Sequence, residues 1–213
     1  MSRITEDTLS QLRADMMTRL STKRFRHTVA VEEAVTRLCA LYCPEDTERM
    51  RAAALLHDLT KEYSDEEQMA LCARLGLEVK AEERASPKTF HARTAAALIP
   101  EIYPALDDPL ILSAVRWHTT GRAGMTLHER LLYLADYIDD SRTFFTCVLL
   151  RRYFWGADPK EMDAEGRARL LRETLILSFD LTIRDLLEEG RPVALETTEA
   201  RNALLLEALH QKS

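Results

Sequence analysis

The sequence predicts an all-α protein, a compact bundle of about eight to ten helices. The 213-residue chain has only 6 Gly and 7 Pro, and it is rich in the helix formers Ala, Leu, Glu and Arg. Helix-capping patterns recur along it. No segment shows the alternation of apolar and polar residues that is typical of strands. Nothing resembles an interdomain linker, so we expect one domain over residues 1–213.

Three helices are predicted to begin at a side chain that can cap the first turn. These starts are Ser64 with Glu67, Asp108 with Pro109, and Thr126 with Glu129. Glycines that suit helix ends are Gly76, Gly121 and Gly190. The Thr126 helix is expected to run through Tyr133 toward Asp140. A long amphipathic helix is predicted over Glu161–Glu189, and the loops Lys80–Lys88 and Tyr103–Asp107 are short.

Charge and apolar patterning exclude several classes of protein. The net charge of −6 argues against a general nucleic-acid binder. No apolar run approaches the length needed to span a membrane, and the N-terminal residues lack a signal-peptide core. We therefore expect a cytoplasmic protein with no nucleic-acid or membrane partner. The four cysteines form no CxxC pair and are expected to be reduced thiols, mostly in the core.

Several histidines and carboxylates fall on predicted apolar faces, where an unpartnered polar group is poorly solvated. His27, for example, heads a stripe that continues through Val31 and Ala34. For any one of them, a buried side chain bonded to a neighbour is the better explanation. Together they suit a metal site, and the residues are His27, His57, Asp58, His91, His118 and Asp136. Imidazole and carboxylate without thiolate favour Fe, Mn, Co, Mg or Zn in an open catalytic site.

This arrangement resembles the two-metal branch of the HD-domain phosphohydrolases. The resemblance implies two divalent or trivalent metal ions. It assigns His27, His57, Asp58 and Asp136 to the first ion. The second would be held by His91 and His118, with Asp58 as a bridge between the two. A hydroxide shared by two cations is a nucleophile at neutral pH and suits phosphate chemistry.

Short segments resemble one group of these enzymes, the YqeK-type symmetrical bis(5'-nucleosyl)-tetraphosphatases. The segments are "RFRHT" (24–28), "HDLTK" (57–61), "HTTGRAGMT" (118–126) and "YLADYI" (133–138). The match runs from about residue 20 to 205. It implies hydrolysis of diadenosine tetraphosphate to two ADP, with iron as the metal. The metal-site core would then occupy about 20–145, and helices over about 146–213 would complete the bundle and the substrate pocket.

The chain departs from the family pattern after Asp136. The segment "DDSR" stands where the family commonly has a Glu-Pro-Asn-Arg turn. The following "TFFTCVLLRRYFW" is bulkier than the usual segment, which contains Pro and Gly. These changes leave the six metal-site residues intact.

The resemblance also assigns roles around the metals. Asp58, Lys61 and Arg142 would be catalytic, the last two by steadying charge on phosphoryl oxygens. Substrate would be bound by Arg24, His27, Lys61, His91, His118, Thr119, Arg122, Arg142, Pro192 and Thr197. One adenosine would be held between the helix ends around Arg24 and the segment Pro192–Thr197. For Lys61 the simpler explanation is a solvated cation at a helix end. His128, expected to be exposed, and His210 are not expected to bind metal.

Two alternative functions remain open at this stage. Another nucleotide or alarmone hydrolase of the HD superfamily would keep the same fold and ligands and differ in the outer pocket. A non-catalytic nucleotide-sensing module would keep the helical scaffold, but such a module should have lost metal ligands. The oligomeric state is also open, with a homodimer as one possibility.

Overall fold

The computed structural model of the chain describes residues 4–79 and 83–210, and it confirms the all-α prediction. Over these residues there are no strands. The number of α-helices, ten, is at the upper end of the expected range. They are α1 Glu6–Arg19, α2 Thr22–Tyr42, α3 Thr47–Leu56, α4 Asp65–Arg74, α5 Phe90–Ile102, α6 Pro109–Trp117, α7 Leu127–Ile138, α8 Phe145–Gly156, α9 Ala164–Glu188 and α10 Leu195–His210.

The capping residues act as predicted. Ser64 and Thr126 each accept a hydrogen bond from the third residue of α4 or α7, and the glutamate at that position bonds back to complete a capping box. The Asp108 side chain accepts from the Leu110 amide at the start of α6.

The long helix α9 begins three residues later than expected. Its start is fixed by Asp163, whose side chain accepts the amide hydrogen of Gly166. Asp163 is a good N-cap, whereas Glu161 lies in the preceding turn. The helix therefore begins at this cap and not at the first residue of the amphipathic pattern. Part of the predicted loop Lys80–Lys88, residues 80–82, lies outside the described residues. The rest of that loop forms two short 3-10 turns.

The helices pack around a continuous apolar core. Helix α2 lies against α3 and α7, α5 against α6, and α9 against α8 and α10. Fully buried side chains from these helices, such as Leu38, Ile111, Tyr133 and Phe179, belong to this one core. All four cysteines are free and buried, as expected. Within the described ranges, no helix has the length and hydropathy required to cross a membrane.

A buried polar network holds the turn after α3 against α5. The Thr60 hydroxyl contacts the His91 carbonyl at 3.0 Å and the Thr94 hydroxyl at 2.8 Å. Gln68 of α4 joins them by donating to the Thr60 carbonyl and accepting from Thr94. Because each of these groups is satisfied, the turn that contains His57 and Asp58 has a fixed position relative to His91.

Candidate metal centre

Six polar side chains from five helices or their ends converge in the interior. His27 lies in α2, His57 and Asp58 follow α3, His91 lies in α5, His118 follows α6, and Asp136 lies in α7. We call these six residues the cluster. Each is at most 8% exposed, so the prediction that these side chains lie in the interior is confirmed.

Backbone carbonyls fix the tautomers of three cluster histidines. The Nδ1 atom of each lies within 2.8 Å of the carbonyl oxygen three residues earlier. The pairs are His57 with Ala54, His91 with Lys88, and His118 with Val115. A carbonyl only accepts, so each Nδ1 carries the hydrogen and each Nε2 keeps its lone pair. For His57 and His118 the acceptor is a free carbonyl of the last helical turn.

Asp58 lies between two groups of histidines. Its Oδ2 atom is 3.3 Å from Nε2 of His57 and 3.8 Å from Nε2 of His27. Its Oδ1 atom is 3.3 Å from Nε2 of His91 and 3.9 Å from Nε2 of His118. The two oxygens of one carboxylate therefore face different pairs of imidazoles, as a bridging ligand would.

Asp136 completes the group on the Oδ2 side of Asp58. Its Oδ1 atom is 2.8 Å from Nε2 of His27 and 3.8 Å from Nε2 of His57. On the other side, Nε2 of His91 and Nε2 of His118 are 3.1 Å apart. Two alternative sets of three donors, which share His57, could hold an ion, namely His27, His57 and Asp136, or His57, Asp58 and His118.

The donor atoms fit a metal better than they fit one another. Within the described chain, Nε2 of His57 is buried and has no hydrogen-bond partner. Such an atom is rare in a folded interior unless something else satisfies it. Separations of 3–4 Å between donors match ligands that each bind a cation at about 2.0–2.2 Å. Buried imidazole and carboxylate donors without thiolate fit a catalytic site for a first-row transition metal.

Electrostatics keep the carboxylates ionised. Burial opposes ionisation of Asp58, but His57, His91 and Lys61 hold its pKa well below the usual range. The pKa of Asp136 is likewise well below its usual range, because Arg142 and His27 outweigh burial. Both carboxylates are therefore available as anionic ligands near neutral pH.

The imidazoles are in two different electrostatic environments. Burial opposes protonation of His27, yet the carboxylates of Asp136 and Asp139 raise its pKa to about 9. Burial lowers the pKa of His118 to about 4, and burial together with Lys61 lowers that of His91 well below the ordinary value. His91 and His118 are thus neutral and ready to ligate, whereas His27 must lose a proton to a competing cation.

Lys61 and Thr119 lie beside the histidines on the Oδ1 side of Asp58. The Lys61 ammonium is 3.3 Å from Nε2 of His91, and burial lowers its pKa. Lys61 is half-buried against the cluster and is not a fully solvated helix-end cation. The Thr119 hydroxyl lies 3.1 Å from Nε2 of both His91 and His118.

Arg24 and Arg142 each pair with a cluster carboxylate. Arg24 donates to Asp58 Oδ2 at 2.7 Å, and Arg142 donates to Asp136 Oδ1 at 2.5 Å. Both also line an open cavity of about 680 Å³ that includes His27. We call it the His27 cavity, and its volume is in the range of small-molecule sites. The two guanidinium groups are thus placed between the cluster and solvent.

Three predicted substrate residues do not line the His27 cavity. Arg122 makes a bidentate ion pair with the fully buried Glu129. Pro192 lines a second cavity that contains no cluster residue, and Thr197 is buried. The expectation that one adenosine contacts both Arg24 and Pro192–Thr197 stays a prediction. The start of α2 and the segment before α10 line separate cavities with no shared residue.

The outlying histidine His128 also differs from expectation. It is half-buried, and its Nε2 lies 2.8 Å from the Asp46 carboxylate, so it joins α7 to the start of α3. It contacts none of the cluster residues. The conclusion that it is not a metal ligand is unchanged, but its position is a tertiary contact and not an exposed face.

Asp139 is the residue that the sequence reasoning missed. It is fully buried, and its Oδ2 atom lies 3.4 Å from Nδ1 of His27 and 3.3 Å from Nε of Arg142. The Ser141 amide and hydroxyl bond its other oxygen. A carboxylate on Nδ1 directs Nε2 of His27 toward the cluster. The signal available in the sequence was its spacing of three residues from Asp136, which is about one helical turn.

Replacing Asp139 with asparagine is expected to weaken binding of the ion nearest His27 by about 10- to 100-fold. The amide would remove the negative charge that orients and polarises His27. Titration of the metal-free protein with Mn²⁺ or Co²⁺ measures the affinity directly. Asp140→Asn is the matched control, because Asp140 is exposed and pairs with Arg37. Equal metal affinities for the Asp139→Asn variant and the unmodified protein would contradict the orienting role.

Comparison with known proteins gives a consistent picture. Residues 24–140, which contain the whole cluster, match the HD domain family. The symmetrical bis(5'-nucleosyl)-tetraphosphatase of Halalkalibacterium halodurans is 31% identical over 188 residues, which cover 88% of this chain and 92% of that protein. The enzyme of the same description from Bacillus subtilis is 31% identical over 186 residues, or 87% and 91% of the two chains.

A solved structure has the same fold over nearly the whole chain. It is a crystal structure from Clostridium acetobutylicum, described as that of a predicted HD superfamily hydrolase involved in NAD metabolism. It superposes with a TM-score of 0.81 at 31% sequence identity and covers 93% of this chain and 97% of that one.

Proposed function

The chain belongs to the HD-domain family and, within it, to the symmetrical bis(5'-nucleosyl)-tetraphosphatases, and from this membership we propose that it hydrolyses diadenosine tetraphosphate to two ADP. It is a phosphohydrolase, so it is an enzyme and not a non-catalytic sensing module. The proposal adds the roles of individual residues and the metals that they hold.

The bridging position of Asp58 is the observation that carries the proposal. One oxygen faces His27 and His57, and the other faces His91 and His118. His27, His57 and Asp136 with one oxygen of Asp58 would hold the first ion, and His91 and His118 with the other oxygen would hold the second. Two cations held by these residues would supply a nucleophile from water at neutral pH and offset charge on phosphoryl oxygens.

Positively charged side chains next to the proposed metal site could bind the substrate's phosphates. Arg24 and Arg142 line the His27 cavity. Arg24 bonds Asp58 through Nη1 alone, and Arg142 bonds Asp136 through Nε and Nη2, so each keeps further guanidinium donors. We assign them to the nonbridging oxygens of the polyphosphate, which planar guanidinium groups bind bidentately. Lys61 and Thr119, beside His91 and His118, would bind the phosphoryl group under attack as its negative charge increases.

We propose iron as the metal because the family resemblance implies it. Four imidazoles and two carboxylates suit iron, with Mn, Co, Mg and Zn as alternatives. The neutral imidazoles of His91 and His118 favour a borderline transition metal over the harder Mg²⁺. Elemental analysis after anaerobic purification identifies the bound metal.

Product analysis tests the substrate and the bond that is cleaved. Diadenosine tetraphosphate is expected to yield ADP alone, because each product keeps two phosphates when the central bond is cleaved. Ion-exchange chromatography of an early time point separates ADP from ATP and AMP. ATP together with AMP as primary products would contradict symmetrical cleavage. No turnover of the dinucleotide, with rapid turnover of a mononucleotide, would identify another nucleotide or alarmone hydrolase of the same superfamily.

A further inference from the structure

Phe144 is an aromatic side chain that lies largely outside the packed core. It is 69% exposed, although most large apolar side chains of the described chain are buried. It is also the N-cap residue of α8, and its side chain makes no capping hydrogen bond there. Ser, Thr, Asp and Asn are strongly preferred at this position. Phenylalanine at this position therefore contributes neither packing nor a cap, and packing within the described chain gives no reason for an exposed ring.

The ring of Phe144 lies on the wall of the His27 cavity. The same cavity is lined by His27 of the cluster and by Arg24 and Arg142, which bond the cluster carboxylates Asp58 and Asp136. The neighbouring Phe145 is even more exposed, at 76%, but is not on this wall. Phe144 is thus the only phenylalanine, tyrosine or tryptophan among the residues that line this cavity.

The remaining charged residues of the His27 cavity are two cations and two carboxylates, of which Asp140 pairs with Arg37 and Arg151. Lys23 and Arg26 are the cations, and neither makes a hydrogen bond or ion pair with another described residue. Glu62, also on the rim, is engaged by the amide and hydroxyl of Ser21. An anionic chain entering here would meet free cations between the ring and the cluster.

We propose that Phe144 is a stacking platform for one nucleobase of the substrate and that the His27 cavity is a nucleotide subsite. The base would lie on the ring while its phosphates extend past Lys23, Arg26 and Arg24 to the cluster. Every nucleobase presents a flat π-face, so an exposed phenylalanine binds bases with little sequence preference. The inference rests on the proposed function, since it supplies the nucleoside half of that substrate.

Calorimetric binding of two ligands tests this role without relying on turnover. ADP carries the base, whereas inorganic pyrophosphate presents the same number of phosphates without it. Phe144→Ala is expected to weaken ADP binding to the metal-loaded protein by about 10-fold and to leave pyrophosphate binding within about twofold. Phe144→Trp should restore ADP affinity, because the indole also stacks. Phe145→Ala is the matched control and should change neither ligand.

The outcomes separate this inference from the proposed function. Unchanged ADP affinity in Phe144→Ala would overturn the platform even if diadenosine tetraphosphate is hydrolysed to ADP. An equal loss of ADP and pyrophosphate affinity would also overturn it, because the variant would then have damaged the phosphate site. Failure of the unmodified protein to hydrolyse the dinucleotide would overturn the proposed substrate, while a selective loss of ADP affinity would still support the platform.

Discussion

Replacing Asp58 with alanine is expected to lower kcat for diadenosine tetraphosphate by about 10³-fold or more. The side chain is the one group whose two oxygens face both halves of the cluster. Its removal takes a ligand from each proposed ion and leaves four imidazoles without the anion between them. Initial rates at saturating substrate measure the effect, and elemental analysis should show reduced metal content in the same variant.

The loss of kcat in Asp58→Ala should be compared with the loss in Lys61→Ala. Lys61 contacts His91 but, as proposed, adds one positive charge to a site that already holds two metal cations. We expect a loss of only about 10- to 100-fold, with metal content unchanged. Circular dichroism should show that both variants are folded. Equal losses in kcat would mean that Asp58 does not bridge two ions.

The sequence was sufficient for the helices and for the cluster because both depend on local patterns. Capping boxes such as Ser64 with Glu67 involve residues three apart, so the local sequence determines them. His27 and Asp136 lie on apolar stripes, and helical periodicity turns such a stripe toward the core. The stripe therefore predicts which face of the helix turns inward, and the packing of other helices on that face buries it.

Contacts between distant segments could not be predicted in the same way. Arg122 lies four residues after His118, but its partner is Glu129, which also caps α7. Pro192 and Arg24, which were expected to meet at one adenosine, line different cavities, a tertiary feature with no local signal in the sequence. Asp139 was missed because its importance depends on where His27 lies, more than a hundred residues earlier in the chain.

Removing the metals is expected to abolish activity and to lower the thermal midpoint of unfolding by roughly 10 °C. Ligands that bind only the folded state stabilise it, by about 4 kcal/mol at a thousandfold excess over Kd. For a domain of this size, about 1 kcal/mol corresponds to roughly 2–4 °C. Nε2 of His57 adds a further reason, since it is buried with no hydrogen-bond partner among the described residues and a metal ion would satisfy it.

Calorimetric scans of the protein before and after chelation, and after return of Fe²⁺, Mn²⁺, Co²⁺ or Zn²⁺, measure this shift. Elemental analysis of the loaded protein should give close to two ions per chain. His91→Ala, which removes a proposed ligand of the second ion alone, should retain close to one ion and show a smaller shift on chelation. A metal-free protein with full activity and an unchanged midpoint would contradict the two-metal site. Loss of activity with one ion in the loaded protein would instead mean that His91 and His118 bind substrate, as their contacts with Lys61 and Thr119 would also allow.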